Sequence, residues 1–267
     1  MKHFLPWLSV AILFTSCKDL FQYSPNEVRL EDADRNLNAK NIAKLRDLSQ
    51  KDTFRFVVIG DTQRFYEETD DFVDSINKRN DIAFIVLNGD ISDFGLNREY
   101  QWISRSLKRL NMPYVGVIGN HDMLANGRKV YNEMFGPENF SFEYSGSKFI
   151  YLNTNSLEVG MDGSVPDLPW LQSQLTNHRQ YKNVFVFGHM SPLDREEFDQ
   201  SKAASYESLL KSAGNLRLSI HGHQHKFSVQ RPDPEGIEYL IAASVSKRSY
   251  ALVTVTGKTY RIEEKKY

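Results

Sequence analysis

Five of the seven histidines in this 267-residue chain fall at the ends of apolar runs, beside glycine. His121 follows Gly119-Asn120, His189 follows Gly188, and His221, His223 and His225 bracket Gly222 and Gln224. Only His3 and His178 lie elsewhere. Asp61, Asp90 and Asn120 put oxygen donors at the same kind of position. Imidazoles, carboxylates and an amide together suit divalent transition ions, and the neighbouring glycines let the backbone approach an ion closely. A single tetrahedral site needs fewer ligands than this set offers. The residues therefore point to two metal ions.

The apolar runs ahead of these residues read as strands. They are Phe54–Ile59, Ile82–Leu87, Tyr114–Ile118, Val184–Phe187 and Leu216–Ile220, and their near-continuous hydrophobicity indicates burial on both faces. Helical patterns stand between them, over about Glu67–Arg79, Arg98–Leu110, Leu168–Asn177 and Lys202–Ser212. Alternating strands and helices predict an α/β layered fold that carries its ligands at the carboxyl ends of the strands. Ile237–Ala242, Tyr250–Thr256 and Thr259–Glu263 follow with no helix between them and read as antiparallel strands of a second sheet.

Five blocks, in order from about Phe54 to His225, resemble the calcineurin-like metallophosphoesterases. They are Asp61-Thr62-Gln63, Gly89-Asp90-Ile91-Ser92-Asp93, Gly119-Asn120-His121-Asp122, Gly188-His189 and Gly222-His223-Gln224-His225. The resemblance implies a four-layer α/β/β/α sandwich of two mixed β-sheets flanked by helices. It also implies that Asp90 bridges two divalent ions. One would be held by Asp61, Gln63, Asp90 and His225, the other by Asp90, Asn120, His189 and His223. A hydroxide between the ions would attack phosphorus in line, in a phosphomonoester or phosphodiester. His121 would serve the leaving oxygen, with Asp93 setting its tautomer. Asp122 is expected behind the ligands, and His221 in a structural or supporting role.

Gln63 stands where the family has histidine. Its amide oxygen is a harder donor than imidazole, which moves the first site toward Mn²⁺ or Mg²⁺, with Fe²⁺ or Zn²⁺ as alternatives. Asp93 replaces the tyrosine of purple acid phosphatases, and Phe94 the arginine of the Ser/Thr protein phosphatases, so neither subclass fits. Arg64 and Arg248 are candidates to meet a phosphate, although a surface arginine is ordinarily only solvated. Two rival functions are a metal-binding interaction module without catalysis and a hydrolase of pyrophosphate or non-phosphate ester bonds. The retained His121 and Asp93 favour an enzyme, because a binding site needs no acid for a leaving group.

Lys plus Arg total 33 against 34 for Asp plus Glu, a net charge of −1. That balance argues against bulk nucleic-acid binding. The single cysteine excludes an intramolecular disulfide framework and any multi-cysteine zinc site. It follows an apolar run, Phe4–Phe14, too short to span a bilayer and suited to a signal peptide. Leu13-Phe14-Thr15-Ser16-Cys17 resembles a bacterial lipoprotein cleavage box. The expected organisation is a signal peptide over 1–16 and a lipidated tether over 17–51, followed by the catalytic domain over 52–267. Cys17 would anchor the protein in the envelope of a Gram-negative bacterium. Within the tether, Leu37, Ile42, Leu45 and Leu48 are spaced as one amphipathic helix that Asn36 or Asn38 would cap. The motifs leave the substrate and the oligomeric state open.

Overall fold

Strand alternation sorts this chain into three apolar layers. The computed structural model describes residue 24 and residues 27–267; the expected signal peptide and Cys17 lie outside the described residues. Strands β1 (Thr53–Ile59), β2 (Phe84–Asn88) and β3 (Tyr114–Val117) are parallel neighbours. Strands β4 (Phe140–Tyr144), β5 (Ser147–Tyr151), β6 (Asn183–Phe187), β7 (Leu216–His221), β8 (Ser228–Gln230) and β9 (Tyr239–Ile241) form a second sheet, in the order β4-β5-β6-β7-β9-β8. The last strands, β10 (Ser249–Thr256) and β11 (Thr259–Lys266), complete the first sheet in the order β11-β10-β1-β2-β3. Both sheets are mixed.

Along β1, Phe54, Phe56 and Val58 point between the sheets, and Val57 and Ile59 point the other way. This is the period of two that a pleated strand imposes. The inner layer is aromatic. Phe56, Phe84, Phe149, Phe185 and Phe187 are fully buried there. Outside the first sheet pack α2 (Tyr66–Ile76), α3 (Asn97–Leu107) and α4 (Gly127–Met134). Outside the second pack α5 (Leu168–Leu175) and α6 (Gln200–Ser212). The result is a helix–sheet–sheet–helix sandwich, as the resemblance implies.

Helix α1 (Leu37–Arg46) covers an edge rather than a face. Leu37 joins the layer outside the first sheet, and Leu45 joins the layer between the sheets. Asn38 donates from Nδ2 to the Gly116 oxygen at 3.0 Å, and its Oδ1 accepts from the Gly116 N–H at 2.8 Å. One side chain thus behaves like a strand partner on the open edge of β3. The expected cap differs: Asn36 sits in the left-handed region without capping, and Asn38 is committed to Gly116. Leu48 lies beyond the helix and is exposed, so it does not belong to the apolar stripe.

The expectation for the C-terminal strands needs correction. Strand β10 pairs antiparallel with β1, and β11 with β10, so both extend the first sheet. Only β9 belongs to the second sheet, where it lies parallel to β7 and antiparallel to β8. Sequence order cannot reveal this, because a long-range pair between Phe54 and Val255 carries no local signal. The β4–β5 hairpin has a local sequence signature. Alternating residues flank Ser145-Gly146, and both have positive φ, as a tight hairpin turn demands.

Candidate metal centre

The loops that follow β1, β2, β3, β6 and β7 converge at the carboxyl ends of the strands. Asp61, Asp90, His223 and His225 all have φ between 52° and 68°, in the left-handed region that side chains other than glycine seldom occupy. Such strain gathers where function needs an unusual direction from the backbone. The loops are also locked to one another. The Asp61 N–H donates to the Gly89 oxygen at 3.1 Å, and the Gln63 N–H to the Asp90 oxygen at 3.0 Å. Gly119 is required here: a Cβ would lie 2.1 Å from the Asp90 nitrogen and 2.2 Å from Asp90 Oδ1.

Two groups of ligand atoms form, each with its members within 4.8 Å of one another: Asp61, Asp90 and His225, and Asp90, His189 and His223. Asp90 is common to both. Asn120 joins the second group, with Oδ1 3.1 Å from His189 Nε2 and 3.3 Å from His223 Nδ1. Gln63 is buried two residues after Asp61, and its Oε1 has no hydrogen-bond partner.

The donor set fits divalent cations. Neither oxygen of the fully buried Asp61 carboxylate receives a hydrogen bond. His225 Nε2 lies 3.2 Å from Asp61 Oδ1, close enough to attract it but not aligned as a hydrogen bond. Burying an unpaired carboxylate is costly, and a cation between such groups removes the cost. His189 Nδ1 donates to the Asn88 main-chain oxygen at 2.7 Å, which turns Nε2 toward Asp90 and Asn120. Fixing one imidazole nitrogen so that the other is free is how metal-ligating histidines are oriented.

The local field draws positive charge. Burial opposes a charged His189, but the Asp90 carboxylate 3.3 Å from Nε2 outweighs it and lifts the imidazole to about 10. Asp90 is held below its ordinary value by the same neighbour, against its own burial. Asp61 pushes His225 upward, whereas burial and then His189 push His223 downward.

The remaining expected residues fall around this pair of groups. Asp122 is fully buried and accepts from the N–H groups of Ile91, Ser92 and Gly119 and from the Ser92 hydroxyl, at 2.8–3.1 Å. It clamps the loop after β2 to the loop after β3. Burial, then the nearby Asp90, pushes its carboxyl up to about 6, against those hydrogen bonds. His221 is buried behind the site, with Nε2 2.8 Å from Ser219 Oγ; burial lowers it to about 3 and keeps it neutral.

His121 is half-exposed beside Asp90, and its main-chain N–H donates to Asp90 Oδ1 at 3.0 Å. Its relation to Asp93 differs from expectation. His121 Nδ1 donates to the main-chain oxygen of Asp93 at 2.7 Å, while the carboxylate Oδ1 stays 3.6 Å away and pairs with Arg64. The backbone of Asp93 therefore orients the imidazole, not its side chain. Arg248 does not join the site; it pairs with Asp71 of α2.

Sequence reasoning missed three neighbours. Glu197 Oε1 lies 3.5 Å from His223 Nε2. Glu158 is half-buried with Oε2 unpartnered; burial and then Glu197 push its carboxyl up. Glu138 takes part in a chain in which its Oε2 accepts from Asn153, Asn153 Oδ1 accepts from Asn155, and Asn155 donates to the Ile118 oxygen. Glu138 and Glu197 sit in loops and Glu158 in the single 3₁₀ turn Leu157–Val159, none within a recurring motif, so no local pattern announces them.

Residues 54–227 match the family model of the calcineurin-like phosphoesterases. A protein of Coxiella burnetii named "Probable cyclic nucleotide phosphodiesterase" is 28% identical over 57% of this chain and 62% of its own length. One of Arcobacter nitrofigilis named "Probable glycerophosphodiester phosphodiesterase" is 26% identical over 54% of this chain and 57% of its own. The chain thus spans about 60% of the length of these curated relatives. A crystal structure of a dimetal phosphatase from Danio rerio superposes with a TM-score of 0.60 at 16% identity, over 80% of this chain and 99% of that one. With five ligand-bearing loops at one end of two mixed sheets, and a family model matched over most of its length, this chain belongs to the calcineurin-like phosphoesterase family.

Proposed function

We propose that this protein is a metal-dependent phosphoester hydrolase with a preference for phosphodiesters. The observation that carries the reading is the pair of ligand groups sharing Asp90, with His121 beside them, its main-chain N–H bonded to Asp90. Asp61, Gln63, Asp90 and His225 would hold one divalent ion, and Asp90, Asn120, His189 and His223 the other. When bound, the two cations offset the charge of the phosphoryl oxygens and activate the attacking water. The oxygen-rich first set favours Mn²⁺ or Mg²⁺.

The chain's own groups supply the rest. Asp122 keeps the loops after β2 and β3 at fixed separation, so that Asp90 and Asn120 face the same space. With Nδ1–H committed to the Asp93 oxygen, His121 keeps Nε2 for the leaving oxygen, and the imidazolium form, protonated at both nitrogens, would pass the Nε2 proton to it. Glu197 beside His223 adds negative charge at the second group, which penalises a dianionic monoester more than a monoanionic diester. The names of these two curated relatives, each a probable phosphodiesterase, support the same preference. Lipidation at Cys17 would place the reaction in the cell envelope; metabolic labelling with palmitate, lost in Cys17→Ser, checks it.

The decisive experiment compares wild type and Asp90→Asn on bis(p-nitrophenyl) phosphate and p-nitrophenyl phosphate with added Mn²⁺. Wild type is expected to prefer the diester, and Asp90→Asn to lose about 10³-fold or more, since one substitution disables both ligand groups. Equal rates in the two proteins overturn the mechanism. Bound metal without turnover in wild type points instead to a binding module.

A further inference from the structure

We propose that Arg64 binds a non-bridging oxygen of the substrate phosphate, and that the Asp93 carboxylate holds its guanidinium in position to do so. This rests on the hydrolase reading above for its substrate, but not for its test.

Arg64 directly follows Gln63, and the turn that carries it is closed by a bond from the Phe65 N–H to the Thr62 oxygen at 3.2 Å. Its φ is 56°, a left-handed conformation that arginine adopts only where surrounding structure imposes it. That conformation sends the side chain across to the loop after β2, where Nη2 donates to Asp93 Oδ1. The same carboxylate oxygen lies 3.6 Å from His121 Nδ1. Guanidinium and imidazole therefore flank one anchor, and His121 in turn bonds Asp90 through its N–H.

The carboxylate is not needed to orient His121, because the main-chain oxygen of Asp93 already does that at 2.7 Å. Its one hydrogen-bonded partner among the described residues is Arg64, so its evident work is to hold the arginine. Arg64 in turn spends one donor on Asp93, and its side chain is 57% exposed. A guanidinium carries five N–H donors in a planar fork that matches phosphate oxygens. Among the described residues the other four have no hydrogen-bond partner, and Arg64 stands one residue from a candidate metal ligand.

The rival explanation is that Arg64 only neutralises Asp93. Titration calorimetry of inorganic phosphate onto the Mn²⁺-loaded protein separates the two without needing turnover. Arg64→Ala is expected to weaken phosphate binding about 10- to 100-fold, the loss of a charge-assisted hydrogen bond, with Mn²⁺ stoichiometry and melting temperature unchanged. Arg64→Lys keeps the charge but not the fork and should lose less. Asp93→Asn, which releases the guanidinium, should by itself weaken phosphate binding, whereas a pair that is only neutralised predicts binding unchanged or tighter once the carboxylate is gone. In an active wild type, KM for the diester should rise more than kcat falls. Phosphate bound equally by Arg64→Ala and wild type overturns the proposal, as does phosphate bound as tightly by Asp93→Asn as by wild type. An inactive wild type that still loses phosphate on Arg64→Ala refutes the hydrolase reading and leaves this one standing.

Discussion

His189 and Asn88 are joined by a hydrogen bond that settles which imidazole nitrogen faces the site. Nδ1 donates to the Asn88 main-chain oxygen at 2.7 Å, across 101 residues of sequence, and Nε2 is left toward Asp90 and Asn120. Asn88 ends β2 and His189 follows β6, so the bond also ties the first sheet to the second. Because the acceptor is a main-chain oxygen, no substitution at position 88 short of a backbone shift removes it. The orientation of the ligand is built into the sandwich.

As a proposed ligand, Gln63 should set the metal preference. Gln63→Ala is expected to lower Mn²⁺ affinity about 10- to 100-fold. Gln63→His replaces a hard oxygen donor with imidazole and should move the preference from Mn²⁺ toward Zn²⁺. Competitive metal titration of the three proteins measures both effects; an unchanged order of affinities would remove Gln63 from the ligand set.

His121 and Asp93 should not behave alike. His121→Ala is expected to cost about 10²–10⁴ in kcat, and more for an alkyl leaving group than for p-nitrophenolate, because only the poor leaving group needs a proton. Asp93→Asn retains the main-chain acceptor of the imidazole and should leave kcat within about tenfold. Steady-state kinetics across a leaving-group series distinguishes them.

Glu138 makes stability depend on pH in the acid range. Burial works against its charge, yet Arg128, Asn153 and Asn132 hold the carboxyl below its ordinary 4.5. A depressed folded value adds stability above the unfolded pKa and loses it as pH falls through the folded one. Glu138→Gln should therefore cost about 1–3 kcal/mol in urea unfolding at neutral pH. The gap to wild type should narrow as pH drops below 4.5.

Asn38 seals the edge of the first sheet. Asn38→Ala removes both bonds to Gly116 and orphans its buried N–H, while the Gly116 oxygen keeps its bond from the Tyr131 hydroxyl at 2.8 Å. The expected cost is about 1–3 kcal/mol. Urea unfolding should show a lower midpoint with an unchanged slope, since the surface exposed on unfolding is nearly the same.

Much of this protein is legible one residue at a time. Continuous apolar runs mark strands buried on both faces, and glycine beside aspartate or histidine marks the loops where Asp61, Asp90, Asn120 and His189 gather. These are local facts: hydrophobic period and glycine's freedom to let Asp90 lie against Gly119. What lies beyond them depends on pairs of residues distant in sequence. Folding alone assigns β10 and β11 to the first sheet, because β1 offers an edge that β10 matches in register and β10 in turn offers one to β11. Folding alone gives His121 the main-chain oxygen of Asp93 and frees that carboxylate for Arg64. The types of ligand are a property of the chain; the direction of each lone pair and proton is a property of the packed sandwich, since a hydrogen bond is set by angles that no residue carries by itself.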